Sequence, residues 1–149
     1  MSGTAPEGTP LPRKLAIREG SRVAVLGAPE GFVPRGLGPL PSGVDVRTRA
    51  RGPLDVILLF VRRRAELERR FAALARALDP TGGLWIAYPK KASGVPTDLT
   101  FETVQRAGLK AGLVDNKSCA VDDVWTALRF VYRLRDRPRI AREIARRKD

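Results

Sequence analysis

The stretch Val23-Ala24-Val25-Leu26-Gly27-Ala28-Pro29-Glu30-Gly31 constrains this chain more than any other. Its first half is apolar without a break, as in a strand buried on both faces of a parallel sheet. Its second half is a tight glycine turn. In open α/β sheets a ligand lies beyond the carboxyl end of such a strand, where bare backbone lets it approach. Here Pro29 holds the middle of the turn. Proline offers no N–H and adds a ring, so the exit is expected to be crowded and short of donors.

The rest of the pattern supports an open sheet. Leu11–Arg18 reads as a short helix ended by Gly20, and Arg22–Leu26 as the first strand. Glu30–Ser42 carries too many Gly and Pro residues for a long helix. Val44–Arg47 is a short strand, and Gly52-Pro53 breaks the chain. Asp55–Val61 is the strongest central strand. Leu67, Phe71, Leu74 and Leu78 form one apolar stripe over a helix at Ala65–Leu78. A turn at Asp79–Gly83 leads to the strand Leu84–Tyr88. The polar loop Pro89–Thr97 precedes a helix over 98–111, which Thr97 or Asp98 can cap. Two strands close the domain, Asn116–Val121 and Trp125–Arg133, with Asp122-Asp123 as their turn. In the second, Leu128, Phe130 and Tyr132 alternate with Ala127, Arg129 and Val131, a half-buried pattern. Pro138 opens a basic last helix to Lys148, expected to fray in part. Residues 1–10 are predicted to be a flexible arm, 11–134 one α/β domain, and 135–149 a basic helix or tail.

Composition narrows the chemistry. The chain has 149 residues, no histidine and one cysteine, Cys119. An internal disulfide is therefore excluded, a metal site is not expected, and the commonest general base is missing. Cys119 falls in a strand, where a structural thiol is the usual case. No apolar run is long enough to span a bilayer, and Met1–Pro12 lacks the apolar core of a secretion signal, so a cytoplasmic location is expected. The net charge of +12 suits an anionic partner, RNA included, or a solvated basic surface.

The order of elements resembles the class I methyltransferase fold with its antiparallel last strand. Leu15–Gly20 leading into Val23–Gly27 looks like that fold's opening, and Leu78-Asp79-Pro80-Thr81-Gly82-Gly83-Leu84 like its passage into a later strand. The middle is abridged, because too few residues separate Arg47 from Gly52 for a helix plus a strand. Three further blocks are Gly8–Leu11 with Lys14-Leu15, Pro89–Gly94 with Thr97–Leu99, and Cys119–Asp122 with Trp125 and Leu128. Together they resemble a family of short bacterial proteins known only as a domain of unknown function. The resemblance implies an abridged, mostly parallel, methyltransferase-like Rossmann sheet with an antiparallel C-terminal strand, and it brings no assigned activity.

Three segments should meet at the carboxyl edge: Gly27–Gly31, Val61–Arg64 and Pro89–Asp98. Within them Lys90, Lys91, Ser93, Gly94, Thr97 and Asp98 can cradle an anion, or simply cap a helix. Arg62, Arg63 and Arg64 can add bidentate contacts. They also place positive charge at a helix start, which is unfavourable unless an anion answers it. Gly27, Glu30 and Gly31 are the weaker candidates for holding a cofactor, since the acid expected after the second strand to bind ribose is replaced by Val46-Arg47-Thr48. Trp85 and Trp125 can stack on a ligand or fill the core. The leading expectation is a non-catalytic domain without cofactor or catalytic residue, binding an anionic small molecule or protein. The alternatives are a divergent S-adenosylmethionine-dependent methyltransferase and a basic RNA-binding accessory protein.

Overall fold

The computed structural model describes residues 8–147, so the expected arm lies outside the described residues up to residue 7. Six strands form one sheet in the order β2-β1-β3-β4-β6-β5. They are β1 (Arg22–Leu26), β2 (Asp45–Arg47), β3 (Leu54–Phe60), β4 (Leu78–Pro89), β5 (Leu113–Ala120) and β6 (Trp125–Tyr132). β1 pairs in parallel with β2 and β3, and β3 with β4. β6 runs antiparallel to both β4 and β5. The mostly parallel α/β sheet expected from the apolar runs is therefore present, and its abridgement shows as a three-residue β2 at the sheet's edge.

The helices are α1 (Leu11–Lys14), α2 (Arg64–Arg76), α3 (Phe101–Lys110) and α4 (Arg137–Arg147). One face of the sheet packs under the last three, through Leu67, Phe71, Leu74, Val104 and Ile140. The other face is covered by irregular chain, with Leu15, Ile17, Phe32 and Leu37 buried against Val23, Val25, Leu58 and Trp85. This two-sided cover explains why β1, β3 and most of β4 read as continuous apolar runs. No helix among the described residues is long and apolar enough to cross a membrane.

Several boundaries differ from the sequence reading for identifiable reasons. α1 stops at Lys14 because Ala16 turns to a left-handed φ of 62°, a conformation that ends a right-handed helix. Leu78 pairs with Leu54 as the first residue of β4 rather than the last of α2. Asp79–Gly82 bulge out before the ladder resumes at Gly83 opposite Val56; Asp79 Oδ2 accepts from the Thr81 N–H at 3.0 Å and holds the bulge. α3 starts at Phe101, with Thr100 Oγ1 accepting from the Thr103 N–H at 3.1 Å. Neither Thr97 nor Asp98 caps it.

The start of β1 is locked to the start of β3 by one carboxylate. Asp55 Oδ2 accepts from the Arg22 N–H at 2.7 Å and from Arg22 Nε at 3.1 Å, while Oδ1 accepts from Nη2 at 3.2 Å. Burial opposes the Asp55 charge, but the hydrogen bonds from Arg22 outweigh it and hold the carboxyl below its ordinary value of 3.8. A lowered folded-state value means stability that is present above pH 3.8 and lost as pH falls through the folded value. We expect Asp55→Asn to be less stable than the wild type near neutral pH. The gap should shrink steadily below pH 3.8 in urea titrations. A gap independent of pH would exclude this carboxylate as the cause.

Candidate functional site

The carboxyl ends of β1 and β3 open into a cavity of about 820 Å³. Gly27, Ala28 and Pro29 form one wall, at the exit of β1. Phe60 ends β3 beneath it with Val61 just beyond, and Arg62, Arg63 and Glu66 line it from the entrance of α2. Val95 and Pro96 close it from the loop after β4, and Val124 and Trp125 from the start of β6. Parts of all three segments expected at this edge are thus brought together.

The local geometry follows from the residues. Gly27 has φ 68°, and a Cβ there would stand 2.8 Å from the Phe60 carbonyl oxygen. Glycine is therefore required for the strand to turn away beside β3. Pro29 does not fill the exit; it lines an open space, and its carbonyl accepts from the Phe32 N–H at 3.1 Å. The crowding expected there is corrected by that space. Glu30 is exposed and Gly31, at φ 80°, precedes the tight turn Phe32–Gly36; neither lines the cavity. Phe60 is the middle of an aromatic run: Phe32 lies 4.9 Å from it at 70°, and Trp125 5.1 Å at 83°. Both are edge-to-face arrangements of the favourable kind.

The loop after β4 is tied up internally. Ser93 Oγ donates to the Lys90 carbonyl at 2.6 Å and accepts from the Val95 N–H at 3.2 Å. Thr97 Oγ1 donates to the Arg62 carbonyl at 2.7 Å and accepts from the Leu99 N–H at 3.1 Å. Asp98 Oδ1 accepts from the Arg64 N–H at 2.7 Å, at the start of α2. That carboxylate, with Glu66 in the first turn, answers the clash between a helix N-terminus and three arginines. Arg64 itself pairs with Glu68 at 2.8 Å, and it lines a different hollow between α2 and α3. Lys90, Lys91, Ser93, Gly94, Thr97 and Asp98 stand in or beside this loop but do not line the cavity.

Other candidates resolve into packing. Trp85 is fully buried, with its indole N–H donating to the Leu15 carbonyl at 3.1 Å. Cys119 is buried, and burial pushes its thiol up to about 11, which leaves it protonated and unreactive near neutrality. Asp122 Oδ1 accepts from the N–H groups of Val124 and Trp125, both at 2.8 Å, as a turn residue does. At the end of β2, Arg47 is held by Asp45 at 2.8 Å, so a cation occupies the place of the ribose-binding acid. Sequence reasoning missed Phe60, Glu66 and Val124 as cavity residues, and it marked Val95 and Pro96 only as part of the segment Pro89–Asp98. Only the aromatic character of Phe60 at a strand end offered a signal.

No family model matches this sequence, and no curated protein does. Solved structures match the fold. The complex of DhpI with SAH is 14% identical with TM-score 0.56, and the match covers 81% of each chain. A SAM-dependent methyltransferase from Aquifex aeolicus is 13% identical with TM-score 0.55, covering 79% of this chain and 85% of that one. The mitomycin 7-O-methyltransferase MmcR is 11% identical with TM-score 0.54 over 76% of this chain. This chain spans only 49% of that enzyme's length. These neighbours, with the open exit of β1, overturn the expectation of a non-catalytic, cofactor-free anion-binding domain as the main reading. The fold is the methyltransferase-like Rossmann fold, in a form with its three longer helices on one face of the sheet and only the four-residue α1 and irregular chain on the other.

Proposed function

We propose that the protein is a divergent S-adenosylmethionine-dependent methyltransferase that holds its cofactor in the cavity at the carboxyl ends of β1 and β3. The observation that carries this reading is the position of that cavity. It opens beside the exit of the first strand, where open α/β sheets take their ligands. Its volume suits a nucleoside-sized molecule.

The residues present fit the group in shape and charge. Phe60 and Trp125 offer aromatic surface to a purine. Arg62 and Arg63 would bind the carboxylate of the methionine moiety. Glu66, the one carboxylate lining the cavity among the described residues, would face its ammonium. The apolar side chains of Pro29, Val95, Pro96 and Val124 would exclude water. Gly27 and Gly31 shape the loop that carries Pro29, and Glu30 stands exposed between them. When bound, the cofactor supplies a methyl group activated on a sulfonium sulfur. Arg47 leaves the ribose without a carboxylate partner, which points to modest affinity. The blocks at Pro89–Gly94 and Cys119–Asp122 also support membership of the family of short bacterial proteins named above.

Calorimetric titration with S-adenosylhomocysteine tests the reading. We expect a Kd on the order of 10–100 μM. Trp125→Ala and Glu66→Gln should each weaken it about tenfold, a change of about 1.4 kcal/mol. Absence of binding at about 1 mM ligand would remove the proposal.

A further inference from the structure

Near the ends of the strands remote from the cofactor cavity, the sheet holds a positive charge that no group among the described residues neutralises. Arg129 lies midway along β6, opposite Trp85 of β4. Its side chain crosses Gly83, where any Cβ would collide with the guanidinium. Its Nε is shut off from solvent and has no hydrogen-bond partner. Among the described residues no carboxylate lies within ion-pair distance of it. Arg137, at the start of α4, likewise has a buried Nε without a partner. Burial first, then the charges of Arg137 and Arg18, pull the proton affinity of Arg129 below the ordinary arginine value. Arginine nonetheless stays charged in a protein, and a half-buried charge with one N–H shut away and no counter-charge is unfavourable.

Arg129 and Arg18 line a polar hollow of about 390 Å³. It lies beside Ser21, Asp55 and Thr81, at the ends of β1, β3 and β4 remote from the proposed cofactor cavity. The other polar groups facing it are engaged. Both oxygens of Asp55 are taken by Arg22. Ser21 Oγ accepts from the Arg18 N–H at 2.9 Å, and Thr81 Oγ1 donates to Asp79 at 2.8 Å. Glu19 also lines the hollow, and it is exposed and makes no ion pair with either arginine.

We propose that this hollow is a second ligand site, for a phosphate group, with Arg129 as its principal anchor and Arg18 at its mouth. The guanidinium fork matches an oxyanion in two parallel hydrogen bonds. Phosphate brings more charge and more acceptors than a carboxylate does, which suits a hollow lined by both Arg129 and Arg18. Gly83 is the residue that makes the site possible, because a side chain there would displace the anchor. The site is independent of the methyl-transfer reading and stands or falls without it.

Thermal unfolding in sodium phosphate, against sodium chloride of equal ionic strength, tests the proposal on the whole chain without S-adenosylhomocysteine. The wild type should gain about 5 °C or more at saturating phosphate, with a saturable dependence. Arg129→Met, which keeps an apolar stem over Gly83, should melt no lower than the wild type in chloride and lose the phosphate response. Arg129→Lys keeps the charge without the fork and should need about tenfold more phosphate; it carries the test if the methionine variant does not fold. A phosphate response equal to the wild type's in the variants, or none in the wild type beyond chloride, would overturn the site. A short single-stranded RNA added as competitor separates the two sources. Loss of the phosphate response identifies a nucleic-acid backbone, and its persistence a free phosphate or phosphate ester.

Discussion

Replacing Trp85 with alanine is expected to remove about 4 kcal/mol of folding stability, measured as the midpoint shift in urea. The indole is wholly buried on the coil-covered face of the sheet. Its removal leaves a large void and strands the Leu15 carbonyl, 70 residues away in sequence. A domain of this size has about 5–15 kcal/mol in total, so the variant should sit near the edge of unfolding. Trp85→Phe divides the effect. It keeps most of the volume and loses the hydrogen bond, at about 1–2 kcal/mol. A similar loss in both variants would mean that the tie to Leu15, rather than the packing, dominates.

Gly108→Ala should destabilise the protein by about 1–2 kcal/mol, against the usual sign for that substitution in a helix. Inside a helix, alanine is better than glycine by about 1 kcal/mol. At this position in α3, however, the added Cβ runs into the ring of Phe130. Phe130 is fully buried and packs edge-on against Phe71 at 5.2 Å. The ring therefore has nowhere to swing, and overpacking wins over propensity. Phe130→Leu in the alanine background should recover part of the loss in a double-mutant cycle. If Gly108→Ala proves stabilising, the close approach of α3 to β6 is softer than the contact implies.

What could be read from the sequence was what depends on near neighbours. The runs Arg22–Leu26 and Asp55–Val61 announced buried strands, and the stripe Leu67-Phe71-Leu74 announced α2, because period and burial are local signals. The errors came where a distant partner decides. Asp98 looks like the cap of the helix that follows it, yet it caps α2, 34 residues earlier. The conflict of three arginines at a helix start was visible; its answer was not, because it lies across the fold. Arg129 alternates with buried Leu128 and Phe130 and so reads as a solvent-facing residue. Coil covers that second face as well, and the guanidinium ends up lying over Gly83. The cavity was half legible. Its glycine turn and arginines were marked in the chain, whereas Trp125 arrives there only through the antiparallel register that sets it opposite Pro89.

The ladder between β5 and β6 skips a step between Asp115 and Lys117, and Lys117 stands exposed there. β5 is the last strand of the sheet, so its outer rim is where another molecule could dock by extending the ladder. An interrupted repeat and a protruding ammonium make that rim a poor template. The same irregularity that spoils the regular pairing of β5 thereby makes this rim unsuited to lateral pairing with a second sheet.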